Sequence, residues 1–142
     1  MPRVDYKKFN FDLDLELGQK GEDYILKVFE SGSKVEVKTE CDAWQRTGNI
    51  AIEISHTGKN SGITTTDAET WVQVLMKDDK VVGSIVLPVD YLKKQIKKLV
   101  RSKKARIFKT NKKDGYSDFV LVPIKELWSW QRDVLTVKKQ SL

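Results

Sequence analysis

The chain has one cysteine and one histidine in 142 residues. A lone thiol, Cys41, forms no internal disulfide and fits a reducing compartment. One Cys and one His also exclude a zinc centre built from those ligands. His56 has no second histidine or patterned acid beside it in sequence, so a Ser-His-Asp hydrolase is not supported. Long apolar runs are missing too. None approaches the ~20 residues of a membrane-spanning helix, so no membrane partner is expected. Residues 1–14 are polar and acidic, unlike a secretory signal. A soluble, cytoplasmic protein is the expectation. Gly58-Lys59-Asn60 lacks the glycine spacing and hydroxyl residue of a P-loop, and no dinucleotide-binding glycine pattern occurs.

What is present suits one globular domain. Hydrophobic residues make up 39% of the chain, enough for one core. The expected organisation is a single domain over 1–142, with an N-terminal arm over 1–14 and a frayed tail over 138–142. Charge is unevenly spread. Residues 1–87 carry 11 Lys/Arg against 15 Asp/Glu, and residues 88–142 carry 15 against 5. From Lys93 to Lys113 there are 11 basic residues and no acidic one. So one-sided a block points to a polyanion, nucleic acid above all, although a solvated helix face would look similar.

Helical spacing of Tyr24, Ile25, Val28 and Phe29 predicts a helix from Glu16 to Phe29, stopped by Ser31-Gly32-Ser33. Lys34–Glu40 alternates: Val35 and Val37 face one way, Glu36, Lys38 and Glu40 the other. A polar loop, 41–48, leads to a second strand, Asn49–Ser55, with Ile50, Ile52 and Ile54 on one face. Thr66 and Glu69 have capping-box spacing for a short helical turn. Further strands are expected at 71–76, 81–87, 105–109 and 119–122. A lysine-faced helix with the stripe Tyr91, Leu92, Ile96, Leu99 and Val100 runs to about Ser102, and a short helix spans 124–130. The class is α/β, a mixed central sheet flanked by helices.

The acids carry the chemical interest. Glu22 shares a helix face with Ile25, Leu26 and Phe29. A carboxylate turned to the core needs a cation or metal; one at the helix's N-terminal margin is solvated and favoured by the dipole. Both readings stand. If the strands around 41–48 pair as an antiparallel hairpin, Glu36 and Lys38 come near Glu53 on one face, with the valines and isoleucines in the core. That polar face is either exposed to solvent or part of a site. Crowded carboxylates repel unless a divalent cation neutralises them, and Mg²⁺ or Mn²⁺ prefers such oxygen ligands. Glu22, Glu36 and Glu53 are the candidate ligands. Lys38 is the candidate amine, orienting a water or stabilising charge on a phosphorane.

Gly21-Glu22, Val35-Glu36-Val37-Lys38 and Ile52-Glu53-Ile54 resemble the core motifs of PD-(D/E)XK nucleases. The stretch Thr47-Gly48-Asn49 through Glu53, with Gly58-Lys59, Ser61-Gly62-Ile63 and 66–71, is similar to small phage nucleases of that superfamily. The resemblance covers roughly residues 15–75. It implies a restriction-endonuclease-like αβββαβ core and metal-dependent hydrolysis of DNA by an endonuclease or structure-selective DNase, resolvase-like enzymes included. It also implies action in the host cytoplasm and a homodimer, for which the sequence offers no interface signature. Two departures stand out. Glu36 takes the place of the usual first Asp, and Ser55 stands where the family has its lysine, leaving Lys38 to supply the amine from the neighbouring strand. The alternative alignment makes Glu36-Val37-Lys38 itself the E-x-K element, but it leaves only the poorly placed Asp23 and Glu30 as the earlier acid, and the first alignment is preferred because it uses Glu53, an acid on an otherwise apolar strand.

Nucleic-acid contacts are expected from Trp44 and Arg46 in the 41–48 loop, and from Lys59, Ser61 and Thr66 in the Gly/Ser/Thr-rich loop. Lys93, Lys94, Lys97, Lys98 and Arg101 would hold phosphates, on DNA first and RNA second. Two other functions compete: a non-catalytic nucleic-acid-binding protein on the same fold, and an interaction protein whose basic helix binds an acidic partner.

Overall fold

Alternation and turn chemistry shape most of this chain, and the computed structural model describes residues 11–113 and 115–128. The first elements are α1 (Phe11–Phe29), β1 (Val35–Glu40), α2 (Ala43–Thr47), β2 (Asn49–His56) and β3 (Lys59–Asn60). They are followed by a 3-10 turn (Gly62–Thr64), β4 (Thr70–Lys77), β5 (Lys80–Pro88) and α3 (Val89–Arg101). The hairpin β6 (Arg106–Lys112) and β7 (Gly115–Pro123) and a 3-10 turn (Ile124–Glu126) complete them. The chain divides into two compact units after Lys34.

The first unit contains α1. The helix begins a turn earlier than its periodicity suggested, so residues 11–14 are helical rather than part of an arm. Nothing in Phe-Asp-Leu-Asp-Leu breaks a helix. It stops where Ser33 Oγ donates to the Val28 carbonyl (2.7 Å) and Gly32 takes φ +85°, a left-handed C-terminal turn that glycine adopts without cost. Ile25, Leu26 and Phe29 are exposed, and so is Glu22. The expected arm over 1–10 and the tail over 138–142 lie outside the described residues.

The second unit is mixed α/β with two sheets where one central sheet was expected. The three-stranded sheet has the order β1-β4-β5, and the four-stranded sheet β3-β2-β7-β6. β4 and β5 form a hairpin whose central residues, Asp78 and Asp79, both take positive φ (49° and 61°). That is the turn geometry whose twist matches a two-residue hairpin. The expected hairpin of β1 with β2 does not form. β1 runs parallel to β4, from Val35 beside Thr70 to Glu40 beside Leu75, while β2 pairs antiparallel with β7. The intervening 41–48 segment is not a turn but the short helix α2, ended by Gly48 at φ +71°.

The core is one cluster drawn from both sheets and α3: Ile50 and Ile52, Trp71, Leu87, Leu92, Ile96, Leu99, Val120 and Val122 among them. α3 touches β4, β5 and β7, and so covers strands of both sheets. Its buried Gln95 and half-buried Tyr91 both donate to the Leu127 carbonyl (2.5 and 2.8 Å), which fixes the last described turn to the helix. The helix expected over 124–130 is only that 3-10 turn among the described residues, and the turn expected from Thr66 forms earlier, at Gly62–Thr64. One face was assigned the wrong way. Val37, expected in the core, is 57% exposed, whereas Glu36, Lys38 and Glu40 are half-buried beside Trp71 and Gln73. Alternation separates two faces of a strand but does not say which is inside.

Leu92→Ala removes a fully buried side chain from the α3 stripe. It is expected to lower stability by about 2–5 kcal/mol. Exposed Lys94→Ala should stay within about 0.5 kcal/mol of the parent. Urea denaturation of both variants checks the contrast.

Candidate active site

β1 presents a row of alternating charges. Lys38 Nζ lies 2.9 Å from Glu36 Oε1, with both side chains partly open to solvent. Two residues further, Glu40 lies on the same face and makes a different connection. Its Oε1 accepts the backbone N–H of Ala51 on β2 (2.5 Å) and the Nε2 of Gln73 on β4 (2.9 Å). Gln73 Oε1 in turn accepts the indole N–H of Trp71 (2.8 Å). Trp71 and Gln73 are both buried, so this is a polar chain inside the protein. Burial pushes the Glu40 carboxyl above its ordinary range; the two hydrogen bonds pull it back only in part.

Glu53 sits on β2 opposite Phe119 of β7, on the face away from Ile50 and Ile52. Its Oε1 accepts the Ser61 hydroxyl (2.5 Å). The segment after Ser61 wraps back over β2: Ser61 N–H donates to the Ile54 carbonyl, and Thr64 Oγ1 donates within reach of the Ile54 and Ser61 carbonyls (2.8 and 2.7 Å). Gly62 permits that path. Its φ is +59°, and a Cβ there would stand 2.2 Å from the Glu53 carbonyl oxygen.

A bulge after Glu53 shifts the β2–β7 register, so that Ser55 pairs with Asp118 and His56 with Ser117. Ser55 Oγ donates to Asp118 Oδ2 (3.0 Å), and His56 Nδ1 lies 2.7 Å from Ser117 Oγ. Asp118 Oδ1 is buried without a hydrogen-bond partner among the described residues.

Glu36 and Lys38 therefore stand together on β1 while Glu53 stands on β2 of the other sheet, so the grouping expected from a β1–β2 hairpin does not form through strand pairing, and the other candidates are dispersed as well. Glu22 belongs to the first unit. Trp44 is half-buried and its indole N–H donates to the Met76 carbonyl (2.7 Å), so the residue ties α2 to the end of β4. Arg46 and Lys59 are exposed; Thr66 is half-buried, and its hydroxyl accepts the Ala68 N–H (3.2 Å). On α3, Lys94, Lys97 and Arg101 are exposed and Lys93 and Lys98 half-buried. Carboxylate oxygens are the donors Mg²⁺ takes. Among the described residues, however, no three acidic, His or Cys side chains stand together as a ready metal cluster.

Sequence reasoning passed over Glu40, the β1 acid that reaches β2. The available signal was Gln73, a polar residue between Val72 and Val74 and two residues after Trp71 in an otherwise apolar strand. A buried amide requires partners. Comparison with protein-family models, curated proteins and solved structures returns no match.

Glu40 yields a pH prediction. Its folded-state pKa is raised, so the unfolded chain gives up the proton first and stability falls as pH climbs from about 4.5 through the folded value. Glu40→Gln keeps an acceptor oxygen without the charge. The variant's stability advantage over the parent is expected to be absent below pH 4.5 and to grow above it. Glu40→Ala should instead cost about 1–3 kcal/mol for each polar group left bare. Thermal melts across pH separate the three proteins.

Proposed function

We propose that the chain is a metal-dependent nuclease acting on DNA, built on a variant of the restriction-endonuclease-like core. The observation that carries the proposal is the Glu36–Lys38 contact, a carboxylate and an amine 2.9 Å apart at E-x-K spacing on one partly accessible strand. This geometry favours the alignment in which Glu36-Val37-Lys38 is itself the motif, and it uses no lysine at position 55. Lys38 then donates to a non-bridging phosphate oxygen or orients the attacking water, and Glu36 holds the ammonium in place. Glu53, steadied by Ser61, lies on β2 in the other sheet, so a part for it beside Glu36 and Lys38 rests on the family resemblance alone. Bound Mg²⁺ or Mn²⁺ would supply Lewis-acid activation of the phosphodiester.

The order of helix, strands, helix and strands supports this reading, while the pairing of β1 with β4 and the division of the strands between two sheets depart from the single central sheet it implies. Lysines of α3 supply sequence-independent phosphate contacts. Dimerisation, a phage origin and a reducing cytoplasmic setting belong to the same proposal; exposed Cys41 suits the last.

A second reading, a nucleic-acid-binding protein without catalysis, is favoured by Ser55 in the family's lysine position. Incubation with linear, nicked, branched and single-stranded DNA, in Mg²⁺ or Mn²⁺ and then in EDTA, decides between them. Metal-dependent cleavage is expected. Glu36→Gln and Lys38→Met should each slow it by ~10²-fold or more while DNA binding in EDTA changes little. Binding without cleavage on every substrate sinks the enzyme reading. In either case, affinity should fall steeply with salt, and less steeply in Lys94→Ala/Arg101→Ala.

A further inference from the structure

Behind Glu53 the same segment of chain makes a second feature. A recess of about 290 Å³ opens between β2, the Gly62–Thr64 turn and α3. Ile54, Ile63 and Ile96 form its apolar wall, with Thr64, Lys93 and Lys97 around it. The volume is at the lower end of the ~300–1,000 Å³ that small organic ligands occupy, so it admits one ring system rather than an extended molecule. Lys93 and Lys97 are four residues apart and project from one face of α3. Neither forms an ion pair among the described residues. The Thr64 hydroxyl has its proton engaged by backbone carbonyls but keeps an accepting lone pair.

An apolar slot beside two available ammonium groups suits a ligand that is flat and apolar at one end and anionic at the other. We infer that the recess holds the base of an unpaired nucleotide, with its flanking phosphates on Lys93 and Lys97. This rests on the nucleic-acid reading of the candidate site and narrows its substrate to DNA with an extrahelical or easily unstacked base. The position agrees with that role. Ile54 follows Glu53 directly, and the turn that walls the recess is preceded by Ser61, whose hydroxyl holds the Glu53 carboxylate. Withdrawing a base costs least where it is already unpaired, so the site selects for such a defect.

The test uses the full chain in EDTA, where binding is read without cleavage. Two duplexes carry 2-aminopurine, one fully paired and one with the analogue as a single-base bulge. The bulged duplex is expected to bind about tenfold more tightly, equivalent to ~1.4 kcal/mol, with a rise in 2-aminopurine fluorescence as the base unstacks. Thr64→Trp, which fills the recess from an exposed position, should abolish the preference and the fluorescence rise while paired-duplex binding persists. Lys97→Glu, at another exposed position, removes a phosphate contact from either duplex but should weaken the bulged one more, lowering the preference and the fluorescence rise, and serves if the tryptophan variant misfolds. Equal binding of the two duplexes with unchanged fluorescence overturns the inference, and metal-dependent cleavage in a parallel reaction would show that the nuclease reading survives it. Failure to bind either duplex removes both. Saturable binding of dodecanoate that Thr64→Trp abolishes, without any bulge preference, would also overturn it and assign the recess to an aliphatic carboxylate.

Discussion

One carboxylate connects the two sheets. β2 pairs with β7 along one flank, while on the other β3 covers only Ser55 and His56. The Ala51 N–H on the uncovered stretch finds its acceptor in Glu40, a side chain from the other sheet. Gln73 and Trp71 extend that contact into the interior. A buried backbone donor without a partner costs ~1–3 kcal/mol, and so does a buried amide. Glu40 satisfies both with one oxygen, at the expense of desolvating its own charge. The alternation of β1 is thereby set: if Glu40 points inward, Lys38 and Glu36 share its face, and Val37 must point out. The charged row is on the inner side because its last member is needed there.

This explains what could be read from the residues and what could not. The isoleucines of β2 and the stripe of α3 were legible because periodicity identifies a face and large apolar residues identify the core. Leu92, Ile96 and Leu99 are buried as that logic requires. Strand partners were not legible. Nothing in the composition of β1 distinguishes β2 from β4 as its neighbour, and proximity in sequence favoured the wrong one. The 41–48 segment has no tight-turn signal, and it folds as a helix. Glu40 was hidden for a related reason: on an alternating strand, a glutamate that reaches a buried N–H looks the same as one that faces water. The candidate acids Glu36 and Glu53 were singled out by motif, and their different supports, Lys38 and Ser61, are visible only in three dimensions.

Glu53 and the recess also depend on a single backbone conformation. The chain leaves β2 at His56, returns through β3, and must recross β2 closely enough for Ser61 to reach Glu53. Gly62 allows this, since any Cβ at that position would strike the Glu53 carbonyl. The following residues then have no free choice. Ile63 turns into the core at 3% exposure, and Thr64 folds its hydroxyl onto the Ile54 carbonyl. The support of the acid and the wall of the recess are therefore parts of one hydrogen-bonded segment. A change that opens this turn must loosen Ser61 from Glu53 and widen the slot together, so a ligand seated between Ile63 and Ile96 would, by holding the turn closed, also hold the carboxylate. The hydrogen bond that steadies Glu53 and the packing that shapes the recess are thus consequences of the same close crossing of β2.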